Sequence, residues 1–303
     1  MRRSKKKDFS KVIKKQNKSW FHRLVSGAFL APSVLGVLLF FVLPFLVVIY
    51  FSFVNPVAKK FVGLTNYINV IQNGAFRTAV GNTLFFSVVA VPLAVILGMA
   101  LAFLLDAGIP LKSELRSCFL TPLMVPTASI VLIWQVLFDY NGVVNVAVQK
   151  FGGGQVDWLK SSAGLLVIIL LFLWKNLGYN MILFLSAMGN IPKDIIEVAE
   201  LDGANRWQIF LHVKLRYLSP TIMFVTILSM INSFKVFREI YLLTGEYPYG
   251  ALYMLQHYMN NTFASADYQK LSTAAIYMSF VMIVIMGILF WVEHHFGKDL
   301  EEE

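Results

Sequence analysis

Residues 197–215 of the chain read EVAELDGANRWQIFLHVKL. This charged, amphipathic stretch is flanked by apolar runs at roughly 163–188 and 218–241. Each run is long enough to cross a bilayer, since a hydrocarbon core of about 30 Å needs about 20 helical residues. The polar stretch therefore reads as a loop at one membrane face. Its lead-in, Ile191-Pro192-Lys193-Asp194, starts a helix, with proline in the first turn and an acid near the positive end of the dipole. Ile195, Val198, Ala199 and Leu201 give that helix an apolar face, opposed by Glu197, Glu200 and Asp202. Gly203 ends it, and residues 206–212 begin a second short helix carrying Trp207, Ile209 and Phe210. Helices that rest on lipid are rich in lysine and arginine. This one begins acidic, which favours docking to a protein partner.

The whole chain of 303 residues is 57% hydrophobic and only 14% charged. Soluble domains carry about 25% charged residues, so this chain lacks the polar surface to cover itself in water. Six apolar runs, at roughly 28–54, 79–105, 117–138, 163–188, 218–241 and 271–293, predict an all-α membrane protein with six transmembrane helices. Pro44, Pro92, Pro122 and Pro126 interrupt the first three and predict kinks there.

The formal net charge of +9 resembles a nucleic-acid signal, but ten of the 26 basic residues lie in the first 23 positions, in a segment with no apolar core. Beside a first span, such a tail reads as a cytoplasmic anchor that obeys the positive-inside rule and touches anionic membrane lipid, with no role for nucleic acid. The expected organisation is a basic cytoplasmic tail (1–24), a first helix with its outer loop (25–78), a core of five helices (79–295) and a cytoplasmic C-terminal tail (296–303). Both termini then lie inside. The loops 55–78, 139–162 and 242–270 lie outside, and 106–116 and 189–217 inside. Cys118 is the only cysteine and the five histidines are scattered, so neither an internal disulfide nor a metal site is expected.

Polar residues recur inside two spans. Asn176, Tyr179 and Asn180 share a face of span four at i, i+3 and i+4, and Ser229, Asn232 and Ser233 share one of span five. Counted from the 189–217 loop at 1.5 Å per residue, the first group lies about 14–20 Å deep and the second about 17–22 Å. Two readings compete for groups at matching depth: hydrogen-bonded glue between helices, or a polar cavity suited to a polyhydroxyl ligand such as a sugar. The convergence of amides, hydroxyls and a phenol favours the cavity. Lys175 beside them needs water, a carbonyl or a partner. Lys235, Arg238 and Glu239 lie nearer the outer end of span five, where snorkelling or an i,i+4 pair of Lys235 with Glu239 explains them.

The 191–216 segment resembles the "EAA" loop of binding-protein-dependent ABC importer permeases, whose pattern is Glu-Ala-Ala, three residues, Gly, nine residues, Ile, one residue, Leu-Pro. Glu197, Ala199, Gly203 and Leu215 match, Val198 and Val213 are mild changes, and Arg216 stands where proline is usual. The wording AELDGANRWQIF is similar to carbohydrate importers of the maltose and glycerol-phosphate type. Gly81-Asn82-Thr83, residues 137–142 and residues 237–245 agree, so the resemblance covers about 28–295.

The resemblance implies a type I ABC importer permease fold in a bacterial cell membrane, paired with a second homologous permease. A cytoplasmic ATPase dimer and an extracellular solute-binding protein would complete the importer. It implies that Glu197, Ala199, Asp202, Gly203 and Ala204 meet the ATPase, and that Tyr179, Ser229, Asn232 and Ser233 surround the sugar, with Asn176, Asn180 and Val236 near. No GxxxxGK[ST] phosphate loop is present, so no ATP or other cofactor is expected on this chain, the Mg-ATP belonging to the partner. An ion-coupled carrier would want an internal repeat and buried carboxylates, yet no repeat is visible and spans two to four hold no carboxylate near their centres. A membrane enzyme would want a His/Glu or Ser/Lys constellation and a channel a pore-lining repeat, and neither is found.

Overall fold

The computed structural model describes residues 26–55, 60–107, 110 and 112–297. The basic N-terminal tail and nearly all of the C-terminal tail lie outside the described residues. Helix α1 (Ser26–Phe53) is apolar throughout, and a wide π turn at Leu38–Val42 directly precedes Pro44. Proline has no N–H to give to the preceding turn. The wide turn absorbs that missing donor, with Leu43 N–H reaching Leu38 O. A two-stranded ribbon, β1 (Val54–Asn55) and β2 (Lys60–Phe61), pairs antiparallel, and α2 (Thr65–Gln72) follows. The Asn66 side chain of α2 is buried and donates to Ser52 O at 2.9 Å, tying α2 to the end of α1.

Helix α3 (Gly74–Asp106) begins at Asn73, whose side chain accepts Phe76 N–H at 3.0 Å as an N-cap. One face of α3 carries small buried residues, among them Ala79, Ser87, Ala90, Ala94 and Ala102. That face lets α7 (Gly164–Met188) and α10 (Ser219–Phe234) pack closely against it. The third expected span is instead two helices, α4 (Lys112–Met124) and α5 (Thr127–Leu137), bent by 101°. Pro126 caps α5 with extended backbone (ψ 136), which an unbroken helix does not permit. Gly178 of α7 meets α4 so closely that a Cβ there would sit 1.9 Å from Phe119 O.

A short α6 (Val143–Lys150) lies at the end of the bundle far from 189–217. The fifth span runs unbent over Ser219–Thr244 and tightens by i−3 bonds at Lys235–Val236, where α10 gives way to α11 (Phe237–Thr244). Helices α12 (Leu255–Ala264) and α13 (Tyr268–Gly297) are the last of the described residues, and α13 packs against α1. Among the described residues, five helices are long and apolar enough to span a membrane, six if α4–α5 counts as one bent span. Phe29, Phe40 and Phe280 are 83%, 72% and 64% exposed, an apolar rim suited to lipid or to another membrane helix. The protein is a multi-pass helical membrane protein.

The core divides in two. Phe86, Ile168, Leu171, Ile240 and Leu252 form an apolar cluster toward one end, and Val91, Met181, Phe184, Leu218 and Val225 form another toward the 189–217 end. Between them runs a polar seam.

Candidate functional site

Two places combine chemistry with geometry: the 189–217 loop and the polar seam with the cavity beside it.

In the loop, α8 (Lys193–Leu201) ends at Gly203, whose φ of +82° lies in the left-handed region. Ala204 N–H reaches Ala199 O and Gly203 N–H reaches Glu200 O, both at 3.0 Å. This reciprocal pair is a Schellman motif with glycine at its left-handed position. The chain then restarts at once. Asn205 Oδ1 accepts Gln208 N–H at 2.9 Å, and Gln208 Oε1 accepts Asn205 N–H at 2.8 Å, a capping box that opens helix α9 (206–217). The letters LDGANRWQ therefore encode a helix stop and a helix start with nothing between them.

Helix α9 is clamped to the end of α3. Phe210 meets Phe103 edge-on at 4.7 Å, Lys214 pairs with Asp106 at 3.3 Å, and Trp207 stacks on Phe210 at 5.2 Å. Helix α8 keeps its outer side free: Glu197 and Asp202 are exposed, Val198 is 56% and Leu201 87% exposed, and Trp207 is 67% exposed. Ala199 and Ala204 are half-buried, close to the turn. At 216, where proline is usual, the chain is still helical, and the break into α10 is supplied by Pro220 in its first turn.

The polar seam resolves into rungs between α7 and α10. Asn180 Nδ2 donates to Ser229 Oγ at 3.1 Å and to Ala94 O of α3 at 3.2 Å. Ser233 shares a 2.8 Å hydroxyl contact with Ser87 of α3. Asn180, Ser229 and Ser233 are each 1% exposed, so in this conformation they act as glue among three helices. One turn further along, Asn232 Nδ2 donates to Asn176 Oδ1 at 2.8 Å. This second rung is only half-buried and forms part of the wall of a cavity of about 360 Å³. Tyr179 is 37% exposed on α7 and does not reach that wall. The six residues thus share one level, and two of them, Asn176 and Asn232, line an open space.

Charge completes the cavity. Lys175 donates to the Glu239 carboxylate and lies 3.5 Å from Thr127 Oγ1. The side chains of the pair are 22% and 11% exposed. The local Lys235–Glu239 pair expected on helical spacing does not form: Glu239 is buried against Lys175 of α7, while Lys235 is exposed. Lys235, Val236 and Arg238 line the same cavity. Sequence spacing missed Thr127 and Glu239 as cavity residues; the signal was the run of prolines that bends span three and brings Thr127 inward.

Comparison with known proteins places these features in one family. The description "binding-protein-dependent transport system inner membrane component" matches residues 90–301. The trehalose/maltose transport system permease protein MalF of Thermococcus litoralis is 30% identical over 274 residues, 88% of this chain and 92% of that one. The arabinooligosaccharides transport system permease protein AraP of Bacillus subtilis is 32% identical over 224 residues, 71% of this chain and 70% of that one. A chain of the bacterial alginate ABC transporter, solved in complex with an alginate pentasaccharide-bound periplasmic protein, superposes with a TM-score of 0.80 over 93% of this chain and 98% of its own, at 20% identity. The fold is therefore that of a type I ABC importer permease. A loop built as stop and restart, set at one end of such a bundle, sits within the matched region, and the chain belongs to the family of binding-protein-dependent transport system inner membrane components.

Proposed function

We propose that this chain is one of two permease subunits of an ATP-driven importer that moves a sugar or oligosaccharide across a bacterial plasma membrane. The observation that carries the reading is the exposed face of α8, with Glu197, Val198 and Leu201 uncovered on a helix whose end is locked by Gly203. Exposed apolar residues beside acids at the aqueous end of a membrane bundle fit a partner protein's cleft. The basic tail holds the N-terminus, and with it the 189–217 loop and the C-terminus, in the cytoplasm. A cytoplasmic ATPase dimer that binds Mg-ATP docks on α8, and an extracellular solute-binding protein delivers substrate to the opposite end. The related MalF and AraP permeases are named for saccharide transport, and the amide-lined cavity of this chain offers both donors and acceptors for hydroxyl groups.

The coupling route is continuous. Closure of the ATPase dimer pushes α8; α9 follows because the turn between them has no slack; and α9 runs into α10 through Leu218, which is fully buried. Helix α10 carries Asn232, so a tilt at the loop moves one rung of the seam relative to α7 and α3. The Phe103–Phe210 and Asp106–Lys214 contacts carry the same push into α3. This is rigid-body rocking between packed arrangements.

Asn232→Leu tests the substrate part. It removes the donor to Asn176 at the cavity wall while leaving the Asn180–Ser229 rung intact, so saccharide uptake by the assembled importer should fall severalfold with ATPase assembly unchanged. Normal uptake would return this rung to helix packing alone.

A further inference from the structure

The cavity beside the second rung holds more positive charge than its own side chains balance. Lys175, Lys235 and Arg238 line it against a single carboxylate, Glu239, and that carboxylate is already paired with Lys175. Among the described residues, neither Lys235 nor Arg238 makes an ion pair or a side-chain hydrogen bond. Both cations lie toward the outer end of the span, exposed and open to whatever enters the cavity. A neutral ligand held by Asn176 and Asn232 would leave both uncompensated.

We infer that the transported saccharide is anionic, carrying a carboxylate or a phosphate that Lys235 and Arg238 receive while Asn176 and Asn232 take its hydroxyls. This rests on the carbohydrate reading above and narrows it. The separation of roles follows from chemistry: amides read hydroxyl groups through paired donors and acceptors, whereas arginine and lysine bind carboxylate and phosphate oxygens through charge-assisted bonds. Lys175 is excluded from the anion site, because Glu239 occupies it. Lys235 and Arg238 are exposed in the single chain, on the open side of the cavity.

The test uses the complete importer, with its binding protein, in proteoliposomes containing ATP. Uptake is compared for neutral trisaccharides, trisaccharides bearing uronate groups and trisaccharides bearing a phosphate, in the wild type and in Lys235→Gln and Arg238→Gln. Because one binding protein serves every variant, its own preference cancels in the ratio of variant to wild type. The expected result is uptake of an acidic saccharide, with a half-saturating concentration raised about tenfold or more in each variant, the size of one lost charge-assisted bond; the uronate and phosphate arms identify the anion. Uptake of neutral saccharides alone, or variants that lower neutral and acidic uptake alike or release the second permease from the complex, overturns the inference and assigns the two cations to carboxylates of the partner chain. Absence of ATP-dependent uptake for every saccharide would sink the carbohydrate reading itself, a different failure.

Discussion

Gly203 carries the sharpest prediction, because its requirement is purely conformational. Its φ is +82°, and a Cβ built there meets nothing within 4 Å. A substitution therefore introduces no clash with neighbouring atoms, only backbone strain. Holding an ordinary L-residue in the left-handed region costs about 1–2 kcal/mol. Leaving that region sacrifices the Ala204–Ala199 and Gly203–Glu200 bonds, each worth about 1 kcal/mol net. Neither escape is free, so the α8–α9 geometry should lose about 1–2 kcal/mol, roughly a tenfold fall in the docking-competent population. Asparagine tolerates the left-handed region better than alanine, and valine, branched at Cβ, tolerates it worst. The expected order for ATP hydrolysis stimulated by loaded binding protein in the reconstituted importer is Gly203, then Gly203→Asn, Gly203→Ala and Gly203→Val. Expression should stay level, because the position is exposed. Equal stimulation in the asparagine and valine variants would refute the argument, since it would mean that the turn's handedness does not matter for coupling.

The packing around Glu239, Gly178 and His257 carries the remaining predictions. Glu239→Gln strands Lys175, a partly buried cation, and should lower the complex's stability by about 3 kcal/mol. The double variant Lys175→Met/Glu239→Gln should be less damaged than the two singles added together, and additive melting shifts would show that the pair is not coupled. Gly178→Ala drives a Cβ to 1.9 Å from Phe119 O and should abolish accumulation of folded protein in the membrane, whereas Gly287→Ala, with open space around it, should leave the yield unchanged. His257 of α12, outside the spans, is fully buried, and burial holds its imidazole at about 4, down from 6.5. The unfolded chain then binds the extra proton between those values. The stability this site contributes is complete above pH 6.5 and is lost as pH falls toward 4, at up to about 1.4 kcal/mol per pH unit. Amide protection factors around residues 254–265, corrected for intrinsic exchange, should fall over that interval, and His257→Gln should flatten the response.

Much of this architecture was legible in the letters, for reasons that differ by element. Gly203 and the Asn205/Gln208 pair are local devices, and a glycine followed two residues later by a capping box can be read without tertiary information. The shared level of Asn180 with Ser229 and of Asn176 with Asn232 followed from counting residues along two antiparallel helices. The counting could not say which rung faces a cavity, because that depends on α3 covering Asn180 and Ser233 through Ala94 and Ser87. Helical spacing paired Lys235 with Glu239. Glu239 instead faces Lys175, 64 positions away in sequence, and no periodicity signals a partner at that distance. Pro122 and Pro126 announced a disturbed third span, but the 101° bend is set by how α4 packs on Gly178 and α5 on α11.

The most direct test of the account is uptake of a labelled saccharide into vesicles holding this chain, its partner permease, the ATPase and the binding protein. The account predicts uptake that requires ATP on the 189–217 side, persists when ion gradients are collapsed, and is lost in Gly203→Val. Uptake that continues without ATP and stops when an ion gradient is removed would contradict it and make the chain an ion-coupled carrier.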